Sequence, residues 1–140
     1  MLTGVHFILS YTCNFECDHC FLYCSPRSKG TFTINQVKDV LKELQKIGTI
    51  SDVCFEGGEP FLFHPLLLEC IRLANNKGFK TAIETNTYWA TTEEDAELWL
   101  CPLRDSGFSS LPSRISTAMR RPVAATPGAF ATAKDWNSGS

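Results

Sequence analysis

Cys13, Cys17 and Cys20 crowd into one eight-residue stretch, Cys13-Asn-Phe-Glu-Cys17-Asp-His-Cys20. Thiolates are soft ligands that suit iron–sulfur clusters and zinc. A cluster is normally held by four cysteine thiolates, so three close ligands leave one iron without a protein ligand and free to bind another molecule. Asn14 and Asp18 suit the turns that wrap such a loop around its metal. Phe15 and Phe21 are expected to shield a cluster from water, which affects its potential. Cys24, four residues after Cys20, keeps two alternatives open: a closed cluster with four ligands, or a structural zinc. The first gap holds three residues where the ferredoxin run has two. Zinc sites usually pair two separated Cys-x2-Cys units, and no second unit is present.

A second motif, Gly57-Gly58-Glu59-Pro60, begins 37 residues after Cys20. Two glycines let a backbone turn sharply and approach a ligand closely. Exposed carbonyls and the Glu59 carboxylate offer acceptors for an ammonium group, and Pro60 stiffens the exit. Thr85-Asn86-Thr87 is a third polar segment, either reaching a ligand or capping a strand. Glu56 and Glu84 either face a substrate or pair with a neighbour. His6 and His64 read as structural, and Cys54, Cys70 and Cys101 as small buried apolar residues.

Seven cysteines in 140 residues is a high and odd count. A disulfide framework fits poorly, because the chain is long enough to build a core without staples and Met1 to Gly4 carries no Lys or Arg before the apolar Val5 to Leu9. Clustered cysteines in a reducing compartment point to metal or redox chemistry, and the expected location is the cytoplasm. At 44% hydrophobic and 20% charged, with a net charge of −2, the composition is that of a globular domain and gives no electrostatic reason to expect nucleic acid as a partner. No apolar run approaches the roughly 20 residues that span a bilayer, so no membrane partner is expected.

The elements that must position these residues alternate. Gly4 to Leu9 reads as a buried strand, followed by the cysteine loop to about Thr31. Thr33 and Gln36 form a capping-box signature ahead of Ile34, Val37, Val40, Leu41, Leu44 and Ile47 at helical spacing, with Gly48 as the C-terminal stop. A second strand is expected over Ser51 to Glu56, and a second helix over Leu66 to Lys77 with Pro65 in its first turn. A third strand follows over Phe79 to Thr85. A third helix is capped by Thr92 and runs to about Ser106, with Pro102 as a kink or early end. Phe108 to Leu111 reads as the start of a fourth strand. Such alternation implies an α/β fold with a parallel sheet and right-handed helical crossovers. Ligands of such sheets bind beyond the carboxyl ends of the strands, where the cysteine loop, Gly57 to Pro60 and Thr85 to Thr87 all fall.

Past Leu111 the periodicity is lost. Residues 112–140 carry a formal charge of +3 against −5 for the rest. They are read as a disordered tail, or one from a frame-shifted gene, after a core domain spanning residues 1–111.

Cys-x3-Cys-x2-Cys after the first strand, with Gly-Gly-Glu-Pro after the second, closely resembles the radical S-adenosylmethionine (radical SAM) enzymes, over about Gly4 to Leu111. The resemblance implies a [4Fe–4S] cluster on Cys13, Cys17 and Cys20, with S-adenosylmethionine chelating the fourth iron. It places the methionine amino group at Gly57, Gly58, Glu59 and Pro60. Thr85 and Asn86 are expected near the ribose or carboxylate, and His19 stands where the family often has an aromatic residue near the adenine. The activity implied is reductive cleavage to methionine and a 5′-deoxyadenosyl radical, fed by an electron donor such as flavodoxin or ferredoxin, for peptide or cofactor maturation. The family core is a partial TIM-type barrel of six βα units, and this chain supplies about three. That makes a truncated, inactive cluster-binding remnant the alternative expectation, beside a ferredoxin-like or structural metal-binding module.

Overall fold

A computed structural model describes residues 1–107 of the chain; the expected fourth strand and the 112–140 tail lie outside the described residues. Three strands, β1 (Gly4–Ser10), β2 (Asp52–Gly57) and β3 (Lys80–Ile83), alternate with three helices, α1 (Ile34–Ile47), α2 (His64–Asn76) and α3 (Glu93–Asp105). The sheet order is β1-β2-β3 and both pairings are parallel, with Phe7 beside Phe55 and Phe55 beside Ile83. This is an α/β fold consistent with part of a βα barrel.

Alternation along each strand sends one set of side chains to the helices and the other away from them. Phe7 and Leu9, Val53 and Phe55, and Ile83 are buried in one core with Val37, Leu41 and Leu44 of α1, Leu67, Ile71 and Ala74 of α2, and Leu100 and Leu103 of α3. Each such leucine or isoleucine, fully withdrawn from water, contributes about 1.5–3 kcal/mol. His6, Cys54 and Glu56 belong to the opposite set.

Local chemistry sets the helix ends. Thr33 accepts from the Gln36 backbone while the Gln36 side chain accepts from the Thr33 N–H, completing the capping box, and Gly48 closes α1 at φ +74°. Ile47, expected on the buried face, is instead exposed, because it lies in the final turn beyond the last packed leucine, Leu44. Thr92 caps α3 through the Asp95 N–H, with Glu93, Glu94 and Asp95 at the positive end of the dipole.

Two proline expectations change. Pro102 does not end α3 early; the helix continues to Asp105. The carbonyl that loses a donor there belongs to Leu98, an exposed residue near the helix end, so water can replace the missing bond. Pro60 does more than stiffen an exit: it opens a 3-10 turn, Pro60–Phe63, that runs directly into α2.

Candidate metal and cofactor site

The cysteine loop is closed at its base. Thr12 bridges to Ser25, the Cys13 N–H donates to the Ser25 carbonyl at 3.1 Å, and the Tyr11 N–H donates to the Gly30 carbonyl at 2.9 Å. Thr12 Oγ1 adds a bond to the Ser28 carbonyl at 2.8 Å. Beyond this base the loop is open. Cys13 and Cys24 are buried, Cys17 and Cys20 are half-buried, and all four are free thiols.

The thiols differ in environment. Burial pushes Cys13 above its ordinary value, against the opposing Phe15 N–H, which lies 3.4 Å from the sulfur; the charges of Glu59 and Cys17 push the same way. Cys17 is also raised, first by burial and then by Cys20 and Asp18. Cys20 is the exception. Burial raises it, but N–H donors from Cys24, Leu22 and Tyr23 together outweigh that and hold it below its usual value. Cys24 is pushed up to about 11, by burial first and then by Cys20.

The Gly-Gly-Glu-Pro segment is joined to the base of this loop. The Gly58 N–H donates to the Ser10 carbonyl at 2.6 Å, and the Glu59 N–H donates to the Thr12 carbonyl at 2.9 Å. A Cβ on Gly58 would sit on the Thr12 carbonyl; one on Gly57, at φ +133°, would strike the Ser10 carbonyl. The glycines are therefore required for backbone to meet backbone, whatever ligand lies beyond.

Glu59 is fully buried. Its Oε1 accepts from the Phe61 N–H at 3.0 Å and from Thr85 Oγ1 at 2.8 Å, and its Oε2 accepts from the Asn86 N–H at 2.7 Å. Burial raises its pKa above the ordinary value, with these three donors pulling the other way. Asn86 extends the chain of contacts: its Nδ2 lies 2.8 Å from Asn14 Oδ1 and 3.7 Å from Cys13 Sγ. Thr87 holds φ +58°, a costly conformation for a β-branched residue, pinned by its N–H on Thr85 Oγ1. Below this hub Phe61 stacks on Trp89 at 4.3 Å, and Trp89 Nε1 donates to Thr85 Oγ1.

The structure thus gathers Cys13, Gly57, Gly58, Glu59, Pro60, Thr85 and Asn86 at the carboxyl ends of the three strands. His19 stands apart, exposed and without a hydrogen bond among the described residues. Phe15 and Phe21, expected as shields of a cluster, are 41% and 76% exposed. Sequence reasoning missed the anchoring roles of Ser10 and Thr12; their signal was a polar run directly after an apolar strand.

The donor set bears on which metal fits. Among the described residues, the group of three or more ligands whose donor atoms all lie within 4.8 Å of one another is His6, Cys54, Glu56 and Glu84, on the sheet face away from the helices; the loop cysteines form no such group. A single zinc ion needs converging ligands. The loop thiols lie close enough for Cys24 to feel the charges of Cys20, Cys13 and Cys17 without converging on one point, which suits a cluster, in which each thiolate meets a different iron. The residues present fit that group.

Comparison with known proteins agrees with this chemistry. The family model described as the Radical SAM superfamily matches residues 7–112. The Bacillus subtilis antilisterial bacteriocin subtilosin biosynthesis protein AlbA is 37% identical over 81 residues, 57% of this chain and 17% of the relative. The S-adenosylmethionine-dependent nucleotide dehydratase of Selenomonas ruminantium is 30% identical over 86 residues, 61% of this chain and 30% of the relative. The Methanocaldococcus jannaschii 7-carboxy-7-deazaguanine synthase is 29% identical over 82 residues, 46% of this chain and 34% of the relative. The chain spans 17–34% of the length of the curated relatives it matches.

Proposed function

The chain belongs to the radical SAM superfamily, and from that premise we propose that it holds a [4Fe–4S] cluster on Cys13, Cys17 and Cys20 and binds S-adenosylmethionine beside it for reductive cleavage. When bound, the cluster supplies the single electron that splits S-adenosylmethionine into methionine and a 5′-deoxyadenosyl radical.

The observation that carries this reading is the joining of the cysteine loop to the Gly-Gly-Glu-Pro segment. Two backbone bonds, Gly58 to Ser10 and Glu59 to Thr12, set the distance between metal ligands and cofactor site before either group binds. Cys13, Cys17 and Cys20 would hold the cluster by three thiolates, leaving one iron open to the methionine end of the cofactor. Gly57 and Gly58, half-buried and without side chains, present backbone to its ammonium group. Glu59 is committed to three protein donors, so it orients the turn and lends negative charge from behind. Asn86 fixes Cys13 and Asn14 relative to that turn, Thr85 sits on the same carboxylate, and His19 is the loop residue free to meet the adenine. Pro60 directs the chain away into α2.

A flavodoxin or ferredoxin is the proposed electron donor, peptide or cofactor maturation the proposed class of work, the cytoplasm the proposed location, and residues 1–111 the proposed core. No helix among the described residues is long and apolar enough to cross a membrane. A second reading is that the three βα units of the described residues hold a cluster without turnover. Anaerobic loading with iron and sulfide, followed by reduction and S-adenosylmethionine, separates the two. About four irons and four sulfides per chain are expected, with release of methionine and 5′-deoxyadenosine. A cluster that forms and yields neither product selects the second reading, and iron loading unchanged by Cys17→Ala overturns both.

A further inference from the structure

The strand residues facing away from the helices place an imidazole, a thiol and two carboxylates together. His6 on β1 is directly opposite Cys54 on β2, and Cys54 is opposite Ala82 on β3. Glu56 lies two residues beyond Cys54 on the same face. Glu84 immediately follows β3, its N–H bonded to the Phe55 carbonyl at 3.0 Å, which continues the strand pairing by one residue. His6 Nδ1 is 3.1 Å from Glu56 Oε1, and the Glu56 and Glu84 carboxylates face each other, so that burial first and then Glu56 hold Glu84 above its ordinary pKa. Two facing carboxylates need a proton or a cation between them. All four donor atoms lie within 4.8 Å of one another.

We propose that His6, Cys54, Glu56 and Glu84 form a second metal site, for one divalent transition ion of the zinc class. Four converging ligands match the usual coordination number of zinc, and imidazole, thiolate and carboxylate are its three ordinary ligand types. The thiol argues against magnesium or calcium, which take oxygen ligands. The donors sit on paired strands, so their spacing is set by the sheet and not by a flexible loop. His6 is 59% exposed at its side chain while Glu56 is 12% exposed, which gives an ion an entry path and a sheltered seat. The site is independent of the iron–sulfur reading, since it uses none of the loop cysteines.

Cobalt(II) tests the site directly, because it reports thiolate ligation by a near-ultraviolet charge-transfer band and tetrahedral geometry by its visible bands. The full chain with Cys13, Cys17, Cys20 and Cys24 replaced by serine removes the competing thiols. It is expected to bind one cobalt per chain, displaced by one zinc. Further Cys54→Ser should abolish the charge-transfer band, and His6→Ala or Glu56→Gln should weaken binding at least tenfold. Cys70→Ser, at a buried thiol on α2, should change nothing. Binding absent at micromolar cobalt, or a spectrum indifferent to Cys54, His6 and Glu56, overturns the site. If the fourfold variant does not fold, zinc content of the iron-loaded chain decides. One equivalent that His6→Ala removes supports the site, and none, or one that survives the change, rejects it.

Discussion

The cysteine loop and the Glu59 hub are neighbours joined by hydrogen bonds, yet they are built on opposite terms. From Asn14 to Tyr23 the loop exposes Phe15, Phe21 and Tyr23, and its ion pair between Arg27 and Glu16 lies in solvent, where such pairs contribute little. The hub buries its carboxylate completely and occupies it with three donors. Tyr23 and Thr87 hold positive φ on either side of this divide, but only Thr87 is pinned by side-chain bonds. The loop is organised at its base and left for a ligand to complete, whereas the hub is finished before any ligand arrives. Substitutions in the hub should therefore cost stability, and substitutions in the loop should cost metal.

The sharpest way to break that contrast is Gly58→Ala, which forces the Thr12 backbone aside. It should destabilise the apo chain by more than about 3 kcal/mol, read by urea unfolding, and abolish iron loading as well. Glu59→Gln comes next, at about 1–3 kcal/mol, because an amide cannot replace every acceptor the carboxylate offers. It also carries a pH signature. Burial holds the Glu59 pKa above its ordinary 4.5, so the stability it contributes is complete below that value and is lost as pH rises through the folded pKa. The urea midpoint of the native sequence should fall across the weakly acidic range, and Glu59→Gln should flatten that slope. Thr87→Gly should act the other way, raising stability by about 1 kcal/mol through relief of φ +58°, seen as a higher Tm. Smallest for the fold is Cys17→Ala, within about 0.5 kcal/mol of the native apo chain, although bound iron should collapse. A large stability loss at Cys17 with retained iron would reverse the comparison.

Where a rule is local, the sequence was legible. Thr33, Gln36 and Gly48 define α1 because caps depend on residues three or four apart, and the alternation of strands and helices implied the parallel sheet. Glu59 was read as a candidate site residue but not as a buried hub, since two of its three donors, Thr85 and Asn86, are more than twenty positions away. Whether Pro102 ends α3 early was not legible, because its cost depends on which carbonyl loses a donor, and the exposure of Leu98 is a tertiary fact. The convergence of His6 with Cys54, Glu56 and Glu84 was hidden for a similar reason. Residues read singly as structural or paired become one group only when the strand register is known.

The closed base of the cysteine loop bears on how the proposed cluster would be gained and lost. Were such a cluster lost, the Thr12–Ser25 bridge and the Cys13–Ser25 bond would still hold the two ends together. Reassembly then has to order only the short span between them, and the larger closure, with its entropic penalty, is never undone. On the proposed function, the clamp would keep an emptied loop ready to be charged again.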